Sequence, residues 1–177
     1  MGFQLLERLR ARAEELTRAM AWFGLALITG AIAVTVLDII TRRSIGWSVP
    51  GLIDITQMLI IGFAFMCIPF SFMRESNVTV DFITDALPPR LLSAIKAMAM
   101  LTGGVFMFAI AWYSWFRAGQ QVENGDVSQT IGIPFIWYWV PLLSGCIVGT
   151  LTALLQTLHY AIEALAPPAV DDIELTR

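Results

Sequence analysis

The charged residues of this chain fall at the ends of four apolar stretches. No Asp, Glu, Lys or Arg lies between Arg18 and Asp38, between Asp54 and Arg74, between Lys96 and Arg117, or between Asp126 and Glu163. The first three gaps hold 19, 19 and 20 residues. At about 1.5 Å of rise per residue each gives roughly 30 Å of helix, the thickness of a bilayer's hydrocarbon core. The pattern predicts an all-α integral membrane protein with four transmembrane helices, over about residues 17–40, 52–73, 91–116 and 134–161. One domain covers 1–177, ending in a tail at 162–177.

Breakers sharpen these limits. Leu87-Pro88-Pro89 precedes the third span, Pro134 suits the first turn of the fourth, and Pro167-Pro168 closes the helical region. Pro69 should loosen the last turn of the second span, which membrane helices tolerate where a neighbour satisfies the freed carbonyl. Ahead of the first span, residues 2–17 place Phe3, Leu5, Leu6, Leu9 and Leu16 near one face, with Glu7, Arg8, Arg10, Arg12, Glu14 and Glu15 on the rest. This reads as an amphipathic helix lying in the membrane interface. The competing reading is a plain extension of the first span.

Composition agrees: 57% hydrophobic residues, 14% charged residues and a mean hydropathy of +0.72 leave too little polar surface to cover a water-soluble globule. The net charge of -3 comes without a basic stripe, so no nucleic-acid partner is expected. Lys and Arg set the orientation. Arg8, Arg10, Arg12, Arg18, Arg74, Arg90, Lys96 and Arg177 fall on one side, against Arg42, Arg43 and Arg117 on the other, so both termini are expected in the cytoplasm. Trp47, Trp112, Trp115, Trp137 and Trp139 then form an aromatic belt at the outer interface, with Trp22 at the inner one.

The polar residues near the spans are the candidates for chemistry. Asp38 has Arg42 one turn later on the same face, which favours a structural ion pair over a proton relay. Asp54 begins the second span, either as a charge favoured by the helix dipole or as a contact to a partner subunit. Gly145, Gly149 and Ala153 make a stripe of small residues that permits close helix approach. His159 is expected to be an interfacial side chain. Cys67 and Cys146 read as packing residues, because no further Cys or His stands at ligand spacing.

Several functions are disfavoured. One histidine cannot supply two bis-His haem sites, reactive cysteine pairs are missing, and no phosphate loop or Ser/His/Asp set appears, so an enzyme is not expected. A self-sufficient ion-coupled carrier should show inverted repeats and mid-membrane polar groups, which this chain lacks. No cofactor is expected, with phospholipid the one bound molecule such a surface admits.

Two blocks carry a family resemblance. Arg74-Glu75-Ser76-Asn77-Val78-Thr79-Val80-Asp81, followed by Leu87-Pro88, resembles the loop between spans two and three in the small membrane subunit of tripartite ATP-independent periplasmic (TRAP) transporters. That loop reads Arg, a short gap, His-Ile-x-Val-Asp, then Leu-Pro. The run from Ser128 through Ile133-Pro134, Trp137 and Tyr138 to Pro141 is similar to the family's Ser-x-x-x-x-Ile-Pro-x-x-x-Tyr-x-x-Pro block. Arg42, Trp47 and Asp54 resemble its arginine, aromatic and Trp-x-Glu-Glu region. The likeness runs over about residues 20–160, with Asn77 where the family usually has His and Asp54 without the double glutamate.

The resemblance implies a non-catalytic subunit of the bacterial inner membrane. A periplasmic binding protein would capture an organic acid, a large multi-span subunit would carry it inward with sodium, and the small subunit would brace the large one. The residues this marks as partner-interface or structural are Asp38, Arg42, Asp54, Arg74, Asn77, Asp81, Ser128, Pro134, Trp137, Tyr138 and Pro141, with Gly145, Gly149 and Ala153 for helix packing. The outer loop at 117–133 is placed to touch the binding protein. The alternatives are a homodimeric proton-coupled exporter using Asp38, or a membrane assembly factor.

Overall fold

A computed structural model of the chain describes residues 2–74 and 89–165. The described residues form four helices: α1 Gly2–Ile45, α2 Leu52–Met73, α3 Pro89–Asn124 and α4 Ile136–Leu165. All four are long and apolar enough to cross a membrane. Asn77, Asp81 and the Leu87-Pro88 pair lie outside the described residues, as does the tail from residue 166 onward.

Three expected boundaries are corrected. The interfacial segment at 2–17 is not a separate element, because α1 runs unbroken for 44 residues, about 66 Å at the usual rise. Sharp bends in helices have identifiable causes, and neither Gly nor Pro stands between Gly2 and Gly24. Arg, Ala, Leu and Glu dominate this stretch and favour the helix. An Arg18–Glu14 bond of 2.8 Å spans the expected junction.

The third helix extends past residue 116 to Asn124, so the outer loop is shorter than expected. Its stop is a Schellman motif. Gly125 takes φ 68, its N–H donates to the Val122 carbonyl at 3.1 Å, and the Asp126 N–H donates to Gln121 at 3.0 Å. The fourth helix begins at Ile136 rather than at Pro134. Pro134 instead pairs with Val127 in an antiparallel bridge, and its carbonyl accepts the Trp137 N–H at 3.2 Å.

Helix α2 packs on α4, with α1 on the far side of α2 and α3 on the far side of α4. Helices α1 and α4 touch only slightly. The four therefore form a bent layer with α2 and α4 at its centre. A buried cluster of Phe72, Met100, Ala153 and Tyr160 joins α2, α3 and α4 near the end that carries the chain termini.

A candidate scaffold seam and its polar staples

The α2–α4 contact is shaped by prolines and glycines. Pro69 has no N–H, so α2 cannot use the carbonyl of Phe65 in its usual hydrogen bond. That carbonyl faces Gly145, where an added Cβ would overlap it. Gly145 thus gives room for the unpaired oxygen, and its Cα–H can approach as a weak donor. One turn on, a Cβ at Gly149 would rest in ordinary contact with Pro69 and Ile68, 3.8 Å from each. Gly62 of α2 lies opposite Pro141 of α4, and Leu27 of α1 fills the remaining space beside it. Ala153, fully buried, meets Gly104 of α3. The small-residue stripe therefore packs inside the chain, with Gly145 and Gly149 against α2 and Ala153 against α3.

The α2–α4 pairings run parallel, offset by 79 to 81 positions. The two long polar side chains of the seam reach back one turn further. The Tyr138 hydroxyl donates to the Asp54 carbonyl at 3.0 Å, 84 positions away, and the Gln156 amide donates to the Met73 carbonyl at 3.0 Å, 83 positions away. Helical side chains lean toward their own N-terminus, which accounts for the longer offset. Each clamp seats one end of the seam. Gln156 thus adds a donor to the last carbonyls of α2, where the helix's own N–H groups run out.

At the end bearing the 46–51 and 125–135 connections, two buried carboxylates hold the loops. Asp38 is 1% exposed. One of its oxygens accepts the Arg42 guanidinium at 2.5 Å, and the other accepts both the Ser48 hydroxyl and the Val49 N–H at 2.8 Å. It fixes the 46–51 turn onto the end of α1. Asp54, also buried, accepts the N–H groups of Thr130 and Ile131, each at 3.2 Å, with the Ser128 side chain beside it. The 125–135 connection closes on itself as well, because the Ser128 N–H donates to Ile133 at 2.8 Å and its hydroxyl accepts the Ile133 N–H at 3.0 Å. Ile131 then sits directly over Gly51, whose φ of 71 and missing side chain let the loop approach.

The termini end is joined differently. Arg74 lies 3.5 Å from Glu14 and over the Phe70 ring at 5.6 Å. Arg10 meets His159 at 2.8 Å. These two contacts, like the Gln156 cap, could not be anticipated, since nothing in a linear pattern pairs residue 10 with 159. Gln156 alone carried a signal, as an amide in an otherwise apolar run where polar groups are costly. Its Oε1 is buried without a partner.

The outer faces are apolar. Trp137, on α4, is 61% exposed. Between α3 and α4 runs a groove of about 500 Å³ lined by Phe108, Trp112, Trp115, Ile147, Leu151 and Leu154. Among the described residues, no three His, Cys, Asp or Glu side chains converge as a metal cage.

A stapled helical core with apolar outer faces, on four helices long and apolar enough to span, is that of a multi-pass membrane protein. Residues 31–163 match the family model for the DctQ component of tripartite ATP-independent periplasmic transporters, and the chain belongs to that family as a small permease subunit. It is 28% identical over 133 residues to the ectoine TRAP transporter small permease protein TeaB of Halomonas elongata, a match covering 74% of this chain and 66% of that relative's length. No solved structure matches the chain.

Proposed function

We propose that this subunit is a non-catalytic brace for a large multi-span permease of the bacterial inner membrane. In this reading the large subunit moves an organic acid inward with sodium, and a periplasmic binding protein delivers it. The observation that carries the proposal is the seam. Its closest approaches are internal, and both its ends are clamped, which leaves the apolar faces of α1 and α3 free to meet a partner in the membrane. Asp38, with both carboxylate oxygens engaged in holding a turn, serves here as a staple rather than as a proton carrier. Both termini face the cytoplasm, so the 125–135 connection faces the periplasm and can meet the binding protein.

The test is reconstitution of the large permease subunit and binding protein in proteoliposomes, with and without this chain, under an inward sodium gradient. Organic acids and ectoine, named for the Halomonas relative, are the substrates to supply. Uptake that needs this chain supports the brace. Full uptake without it overturns the reading, and accumulation by this chain alone would make it a carrier. Orientation is tested by an impermeant thiol reagent: Ser44→Cys and Glu123→Cys should label from outside, whereas Arg8→Cys and Glu163→Cys should not.

A further inference from the structure

The last turns of α1 change from apolar to cationic over about 12 Å of helix. Thr35, Asp38, Ile39, Arg42 and Arg43 of α1, with Leu52 of α2, line a cavity of about 580 Å³. The five α1 residues follow the spacing of one helix face, so depth sorts them, with Thr35 and Ile39 nearer mid-span and both arginines at the helix end. The antiparallel pairings of Leu27 with Gly62 and of Gly30 with Leu59 put Leu52 level with the turn between Thr35 and Ile39. This lower part is apolar. Ile39 is 59% exposed, and the Thr35 hydroxyl already donates to the Ala31 carbonyl at 2.8 Å.

The upper part carries unspent positive charge. Both oxygens of Asp38 are taken by Arg42, Ser48 and Val49, so this carboxylate does not also neutralise Arg43. Arg43 is exposed and, among the described residues, makes no hydrogen bond or ion pair. Arg42 reaches Asp38 and Ser48 through Nη2 alone, which leaves its other donors available on a side chain that is 62% exposed. Two guanidiniums against one carboxylate leave a single positive charge, the complement of one phosphodiester. Guanidinium geometry suits phosphate oxygens. Trp47, in the adjoining turn, is exposed as an interfacial side chain would be. We propose that this cavity seats an anionic phospholipid, with its phosphate between Arg42 and Arg43 and an acyl chain against Ile39 and Leu52. A zwitterionic lipid would bring an ammonium group to the same two cations. An acidic protein surface would meet the arginines but leave the apolar part unfilled.

The test is native mass spectrometry of the full chain, delipidated in detergent and titrated with phosphatidylglycerol, phosphatidylethanolamine or inorganic phosphate. Phosphatidylglycerol should bind most tightly, and Arg43→Gln should weaken it about fivefold, the effect of one basic residue at a lipid surface. Arg43→Lys keeps the charge and should retain most of the binding. Arg117→Gln removes an arginine at the same end of the molecule but outside the cavity, and should change nothing. Equal binding of the two lipids would overturn the proposal and assign the arginines to an acidic protein partner. Inorganic phosphate binding as tightly as phosphatidylglycerol would make this a site for a free anion. An unchanged affinity in Arg43→Gln, or an equal loss in Arg117→Gln, would reduce the effect to overall surface charge and overturn the site.

Discussion

Along the α2–α4 seam, contact is made by what is missing. Gly62, Gly145 and Gly149 lack side chains, and Pro69 lacks a donor, so two backbones approach where any Cβ at Gly145 would collide. Along α3 the reverse holds: Phe106, Trp112, Tyr113, Trp115 and Phe116 are between 55% and 72% exposed. Both regions are apolar, and hydropathy cannot tell them apart. The difference follows from the solvent. Lipid tails are as apolar as leucine, so burying apolar surface does not by itself drive helices together, and close packing and interhelical hydrogen bonds must do so. Bulky side chains facing outward lose nothing against lipid and stay available to a partner of matching shape.

The comparison is broken most severely by filling the seam. Gly145→Leu places a branched side chain against the Phe65 carbonyl, and overpacking of this kind costs on the order of 3 kcal/mol or more. The expected outcome is loss of most folded protein on size-exclusion chromatography. Asp54→Ala should come next, because it leaves the Thr130 and Ile131 N–H groups without their buried acceptor. A lowered melting temperature and faster protease cleavage within 125–135 should accompany it, while Asp54→Glu should restore part of the loss. Cleavage unchanged from the original protein would mean that the loop holds itself.

Smaller effects sharpen the contrast. Tyr138→Phe removes one clamp and should cost about 0.5 to 1.5 kcal/mol, read as a modest drop in melting temperature. Trp112→Ala with Trp115→Ala, on the outer groove, should leave the stability of the isolated chain within about 0.5 kcal/mol of the original. The same pair should reduce recovery of the large permease subunit on co-purification if α3 meets it. Undiminished recovery would assign the partner contact to α1 instead.

Four helices apolar enough to span were legible because charge is so costly in hydrocarbon that its absence marks them. Asp38 with Arg42 was legible too, since a one-turn spacing is local. The ends of α1 and α3 were not. An interfacial segment and a continued helix share the same amphipathic pattern, and the Schellman stop at Gly125 competes with an earlier stop that Arg117 merely suggests. The seam was half legible. The stripe from Gly145 to Ala153 and the proline at 69 were visible separately, but that Gly145 receives the carbonyl freed by Pro69 depends on two helices 80 positions apart lying in parallel register. Asp54 as the acceptor for residues 130 and 131 is long-range in the same way.

The central claim is that the small residues of α4 serve this chain's own packing. It is tested most directly by thermal unfolding of the isolated subunit in detergent with one alanine placed at either of two glycines. At Gly119, where nothing lies within 4 Å, Gly119→Ala should stabilise α3 by up to about 1 kcal/mol. At Gly145, Gly145→Ala should destabilise by about 1 to 3 kcal/mol, since the carbonyl it meets is backbone and cannot swing aside. Opposite signs are the predicted result. If Gly145→Ala leaves the isolated chain as stable as Gly119→Ala does, the stripe is not an internal seam and the account fails.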